Sequence, residues 1–203
     1  MSLSLLPVVL VLTTLGVGWW IGDYNGIYTR VMQADVASAS TMDLDDKLDR
    51  DLALLKEPQR RFRLHFQLGL SSALAVVLIN SLSVTYLIGT SRWVKEVVEA
   101  YGLEQKFIDH STKLKRATFP WSIISIFSII SIVAMGAAAD PGTLRTTTAN
   151  WVTPHLIAAM VGTSVIVVTI FVQAMNLHQN SQIIEEVVAE VKKERVARGL
   201  PVG

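Results

Sequence analysis

The chain has 203 residues, of which 51% are hydrophobic and only 17% charged, with a formal net charge of +1. Charge that close to balance gives no footprint for nucleic acid. The absence of cysteine excludes disulfides, thiolate metal sites and cysteine nucleophiles.

The charges are segregated rather than spread. Four long runs carry none: residues 1–22, 68–91, 117–139 and 150–181. Each matches or exceeds the ~20 apolar residues that a helix needs to cross a bilayer core. The expected fold is therefore an all-α, integral-membrane four-helix bundle, with spans at 3–22, 65–91, 118–139 and 153–180. Amphipathic helices are expected outside the bilayer at 41–57, 92–108 and 181–197.

The first run lacks a basic leader and a small-residue cleavage site, and it ends in Trp19-Trp20. Those tryptophans suit an interfacial belt, so the run reads as a retained span rather than a secretory signal. Gly18 and Gly22 are spaced to let a second helix approach. Asp23-Tyr24-Asn25-Gly26 is turn chemistry.

Residues 27–63 form the longest segment between runs. Ser40 and Asp43 make a capping signal, and Pro58 is the expected stop of the helix that follows. Leu44, Leu48, Leu52 and Leu55 form one apolar stripe on it, a candidate partner-binding surface. Its acidic face (Asp43, Asp45, Asp46, Asp49, Asp51) reads as solvated, since nothing there resembles a cation-binding loop. Arg60, Arg61 and Arg63 suit phosphate headgroups.

Beyond the second run, residues 92–108 read as a surface helix with Trp93, Val94, Val97, Val98 and Tyr101 on its apolar side. Lys113, Lys115 and Arg116 lead into the third span, where Ser122, Ser125, Ser128 and Ser131 recur every third residue. Those serines are expected to bond back to their own backbone and keep the helix slim. Asp140-Pro141-Gly142-Thr143 is a turn. The fourth span continues without a breaker into a tail helix striped by Ile184, Val187, Val188 and Val191.

An offset of ninety residues relates the two halves. It places His65 on His155, Ser91 on Ser181, Glu96 on Glu186 and Val97-Val98 on Val187-Val188. This suggests a weak tandem repeat of helical hairpins, with the two Val-Val pairs as further candidate partner surfaces. Steps of 100° put Gly69, Ser72, Val76, Asn80, Ser83 and Thr90 on the face of His65. The face of His155 holds Ala159, Gly162, Ile166, Thr169, Gln173 and Asn180. In lipid, such polar or small stripes turn toward protein, so Asn80, Ser83, Thr169 and Gln173 are expected as polar groups in the bundle core.

Two imidazoles facing each other across a bundle are a way to hold haem b from both sides. Gly69, Ser72, Ala159 and Gly162, one and two turns deeper, would leave space for the ring. The plan resembles that of small membrane cytochromes b, at the level of plan only, since no family motif accompanies it. His110 and His178 are read as solvated or headgroup-facing. There is no phosphate loop, nucleophile elbow, zinc-protease motif or dinucleotide fingerprint, so no catalytic or metal-binding set is expected.

Three functions follow, in order: a non-catalytic membrane scaffold or accessory subunit, a haem-carrying electron-transfer subunit using His65 and His155, and a small transporter or channel. The partners expected are the bilayer and other membrane subunits, or a second copy. Loop 92–116 and the tail carry ten Lys and Arg, against eight on the other side. That bias places both termini in the cytoplasm.

Overall fold

A computed structural model describes residues 2–38, 44–143 and 147–201, with side chains at 2–4, 34–38, 44–49 and 51–52 left aside. Every regular element among the described residues is helical. In order they are α1 (Ser2–Ile21), α2 (Tyr24–Ser38), α3 (Leu44–Tyr101), α4 (Lys106–Ala139), a 3-10 turn (Pro141–Thr143) and α5 (Ala149–Ala197). Three of them, α3, α4 and α5, hold stretches long and apolar enough to cross a membrane. A fourth crossing arises if α1 and α2, which meet at a 43° bend, are taken as one broken span. Leu70, Leu74, Leu78, Phe127, Ile130 and Phe171 are all more than half exposed. Lipid facing such side chains costs nothing, whereas water would.

Three boundaries differ from expectation. Residues 24–38 form a helix where the sequence suggests a turn at 23–26 and no helix before Ser40. Gly22, at φ +71°, turns the chain at the end of α1, and the Asp23 carboxylate then accepts from the Gly26 N–H, capping α2. Pro58 does not stop its helix; α3 runs through it for 58 residues. Proline removes one N–H but keeps helical φ, so packing on both sides can carry a helix across it. The surface helix expected over 92–108 divides instead. Gly102 (φ +68°) ends α3, with the Leu103 N–H closing back on the Val98 carbonyl at 3.0 Å, and α4 starts at Lys106. The capping signal at Ser40–Asp43 lies outside the described residues, as do the side chains of Leu44, Leu48 and Leu52.

α3 and α5 run parallel and touch along their length, with α1 and α4 packed against both. Three apolar clusters hold this arrangement. Val11, Val76, Ile129, Ile166 and Ile170 form the central one, drawing on all four helices. Val94, Val98, Phe107, Leu114, Ile183 and Val187 form another where α3, α4 and α5 leave the apolar zone. Tyr24, Val31 and Leu55 tie α2 to α3 at the opposite end, with Phe62 stacked on Tyr24 at 4.8 Å.

Helix ends are closed by side chains from other helices. Asn25 donates to the Ala139 carbonyl at 2.9 Å, satisfying the last turn of α4. The Arg61 guanidinium lies 4.3 Å from the Trp20 ring centre and donates to the Trp20 carbonyl. Arg61 therefore closes α1 rather than only facing headgroups. At the far end Arg198 donates to the Tyr101 carbonyl and Arg195 to the Tyr101 hydroxyl, so the tail of α5 caps α3.

Candidate functional site: a histidine pair and an amide network

His65 on α3 and His155 on α5 meet. Their ring centres lie 6.2 Å apart at an interplanar angle of 79°, an edge-to-face pair. Each imidazole rests on a glycine of its own hairpin. A Cβ built on Gly18 of α1 would stand 2.8 Å from His65 Cε1, and one on Gly136 of α4 would stand 3.0 Å from His155 Cε1. Only a bare backbone lets the rings in so close.

The two joints also match one turn back. His65 Nδ1 is 3.1 Å from the Thr14 carbonyl, four residues before Gly18. His155 Nδ1 is buried with no hydrogen-bond partner, and the Ile132 carbonyl, four residues before Gly136, lies beside that imidazole. Only the Nδ1 of His65 thus faces a helix carbonyl at hydrogen-bond distance. Where it carries the proton, Nε2 is left as the lone-pair nitrogen, the arrangement that orients metal-ligating histidines.

Of the residues expected to leave space for a ring, Gly69, Ser72 and Gly162 are met from within the fold. Thr14 packs its methyl 3.8 Å from the position of a Gly69 Cβ and shares a 2.8 Å hydrogen bond with Ser72. Ile132 occupies the hollow at Gly162, where a Cβ would meet its Cδ1 at 2.7 Å. Ala159 is half-buried.

The other polar feature begins below the central apolar cluster. Gln173 Nε2 donates to Asn80 Oδ1 and to Ser122 Oγ, both at 2.7 Å, and Asn80 Nδ2 donates to Ser125 Oγ at 3.1 Å. One turn further, Asn176 donates to Thr118 at 2.8 Å. Last, Asn180 donates to Thr90 at 2.9 Å and accepts from Ser111 at 3.3 Å. Asn80, Gln173 and Asn180 are at most 2% exposed. Of the α4 serines, Ser122 accepts from Gln173 and itself bonds back to the Thr118 carbonyl, Ser125 accepts from Asn80, and Ser128 bonds back to Ile124. Ser83 bonds back to Ile79. Thr169 Oγ1 and Gln173 Oε1, one turn apart on α5, are buried without partners.

The candidate partner residues are mostly engaged inside the chain. Leu55, Val98 and Val187 are buried, and Val97 packs on the cluster around them. Among the members of that set whose side chains are described, Val188 is exposed, at 38%. His110 and His178 are both exposed. Among the described residues no three His, Asp or Glu side chains converge as metal ligands.

Sequence reasoning missed Gly18 and Gly136 as the seats of the imidazoles, because glycine is common in apolar helices. It also missed Asn176, whose signal was its place one turn from Gln173 and from Asn180. Compared with protein-family models, curated protein sequences and solved structures, the chain matches none.

Proposed function

We propose that the chain is a four-span membrane protein made of two like hairpins, α1 with α3 and α4 with α5, and that it serves as a non-catalytic scaffold or accessory subunit of a membrane assembly. The observation that carries this reading is the continuity of α3 and α5. At 58 and 49 residues they extend roughly 87 and 73 Å, far beyond a bilayer core of about 30 Å. Beyond the apolar zone they share a core of their own, so the intramembrane and projecting parts move as one rigid post. Apolar clusters and the side-chain hydrogen bonds between helices fill much of the interior, which disfavours a conduit. Matched His-on-Gly joints, with Thr14 and Ser72 answering to Ile132 and Gly162, support the repeat of hairpins. Both termini face the cytoplasm on the positive-inside bias.

Native electrophoresis of mild-detergent extracts tests the assembly. The chain should migrate in a complex larger than itself, and a lone monomer in extracts that preserve other membrane complexes removes the scaffold reading.

One observation favours a second reading. Two imidazoles on one iron, with metal–nitrogen bonds of ~2 Å, hold their ring centres roughly 6 Å apart, and His65 and His155 stand at 6.2 Å. On this reading the pair holds haem b and the subunit passes electrons. Thr14 and Ile132 must then yield some of the space they fill. A reduced-minus-oxidised visible spectrum of the purified protein decides it: a Soret band lost in both His65→Ala and His155→Ala supports haem, and no band disposes of it.

A further inference from the structure

A shallow groove of about 360 Å³ runs between α3 and α4 at the charged end of the apolar zone. Val84, Leu87 and Ile88 of α3 and Phe119 of α4 form its walls, and Lys115 and Arg116 stand at its head. A second hollow of about 590 Å³ adjoins it at Arg116 and adds Lys113, with Asp109 as its one carboxylate. Lys113, Lys115 and Arg116 form no ion pair with any described residue. By contrast, Arg92, Lys95 and Lys106 nearby each have a glutamate partner. Ile88 and Phe119 remain about half exposed, at 52% and 50%.

The groove therefore joins two demands in one place. Its cations call for an anion, and its walls call for a hydrocarbon chain. A free anion would leave the walls bare, and a neutral phospholipid would leave the net positive charge unmatched. We propose that this groove binds one anionic phospholipid. Lys115 and Arg116 hold its phosphate, and an acyl chain lies along Val84, Leu87, Ile88 and Phe119. The site rests on the membrane reading above. It sits where basic pockets between spans meet headgroups on the positively biased side. It also bridges α3 and α4, so the lipid should stiffen their contact.

The test uses the full chain purified in neutral detergent and unfolded thermally, followed by circular dichroism. Phosphatidylglycerol should raise the unfolding midpoint, while phosphatidylcholine and inorganic phosphate should not. The variant Lys115→Gln/Arg116→Gln should keep its helical spectrum and bind phosphatidylglycerol at least about tenfold more weakly. Lys56→Gln, at an exposed cation of the other end, should bind like the parent. If the double variant loses helicity, Lys115→Gln alone takes its place and should still weaken binding severalfold. An equal response to phosphatidylcholine, a response to phosphate alone, or undiminished binding by the Gln variants overturns the proposal. Alkaline carbonate washing of membranes separates the two readings. Release of the chain refutes the membrane reading itself, whereas retention without a phosphatidylglycerol response refutes only the lipid site.

Discussion

Asn180 donates a hydrogen bond to Thr90 across the same ninety-residue interval that separates His65 from His155. Both pairs are in contact, and twenty-five residues, or roughly 37 Å of helix, lie between them. α3 and α5 therefore hold one register over the whole shared length.

That register predicts a measurable coupling. Asn180→Ala should cost about 1–2 kcal/mol, since it strands the buried Ser111 hydroxyl and removes the bond to Thr90. A double-mutant cycle with Thr90→Ala should return a coupling of about 0.6 kcal/mol, the usual size for such bonds between membrane helices. Unfolding by titrated denaturing detergent supplies the numbers. Strict additivity would mean the bond contributes nothing to the pairing of α3 with α5.

The glycine seats make a sharper test. Gly18→Ala would drive a methyl to 2.8 Å from His65 Cε1, and Gly136→Ala would place one 3.0 Å from His155 Cε1. Each should lower stability by about 1–3 kcal/mol, as overpacking does, and by similar amounts if the joints are equivalent. Gly16→Ala, where an added Cβ meets nothing within 4 Å, is the matched control and should be neutral or slightly stabilising. A harmless Gly136→Ala would show that the second joint is looser than the first.

Pro58 offers a prediction of opposite sign. Within α3 it withholds the N–H that the Leu54 carbonyl would otherwise receive. Pro58→Ala should therefore raise the midpoint of thermal unfolding, by the equivalent of about 1–3 kcal/mol. A fall would show that proline at this position helps bring Leu55 onto Tyr24 and Val31.

The number of crossings and their direction can be read with cysteines, because the parent has none. Asn150→Cys, at the exposed start of α5, should react with an impermeant maleimide in intact cells. Lys95→Cys, on the exposed face of α3 beyond the apolar zone, should react only after permeabilisation. The reverse pattern inverts the orientation, and labelling of both from outside removes a crossing between them.

The helical architecture is legible in the uncharged runs, because backbone groups in an apolar stretch of that length have to bond within it. The inner faces of α3 and α5 are legible too, because 100° steps sort Asn80, Gln173 and the two histidines from the leucines. What escapes is decided between helices. Nothing local in residues 24–38 announces a helix; Tyr24 and Val31 are held by Leu55 and Phe62, which follow much later in the chain. Pro58 looks like a stop because the cost of proline is local while the packing that offsets it is not. Gly18 and Gly136 differ from Gly16 only in what stands opposite them.

Between the imidazoles and the carboxamides lies the cluster of Val11, Val76, Ile129, Ile166 and Ile170, with Val76 and Ile166 wholly inaccessible. Such a block acts as an insulator. Beyond the Thr14–Ser72 hydroxyl pair, a charge arriving beside either ring would meet about two helical turns of low-dielectric packing before the amide network. Whatever voltage the surrounding bilayer carries should fall largely across that dry layer, leaving the ring end and the amide end each at the potential of its own side.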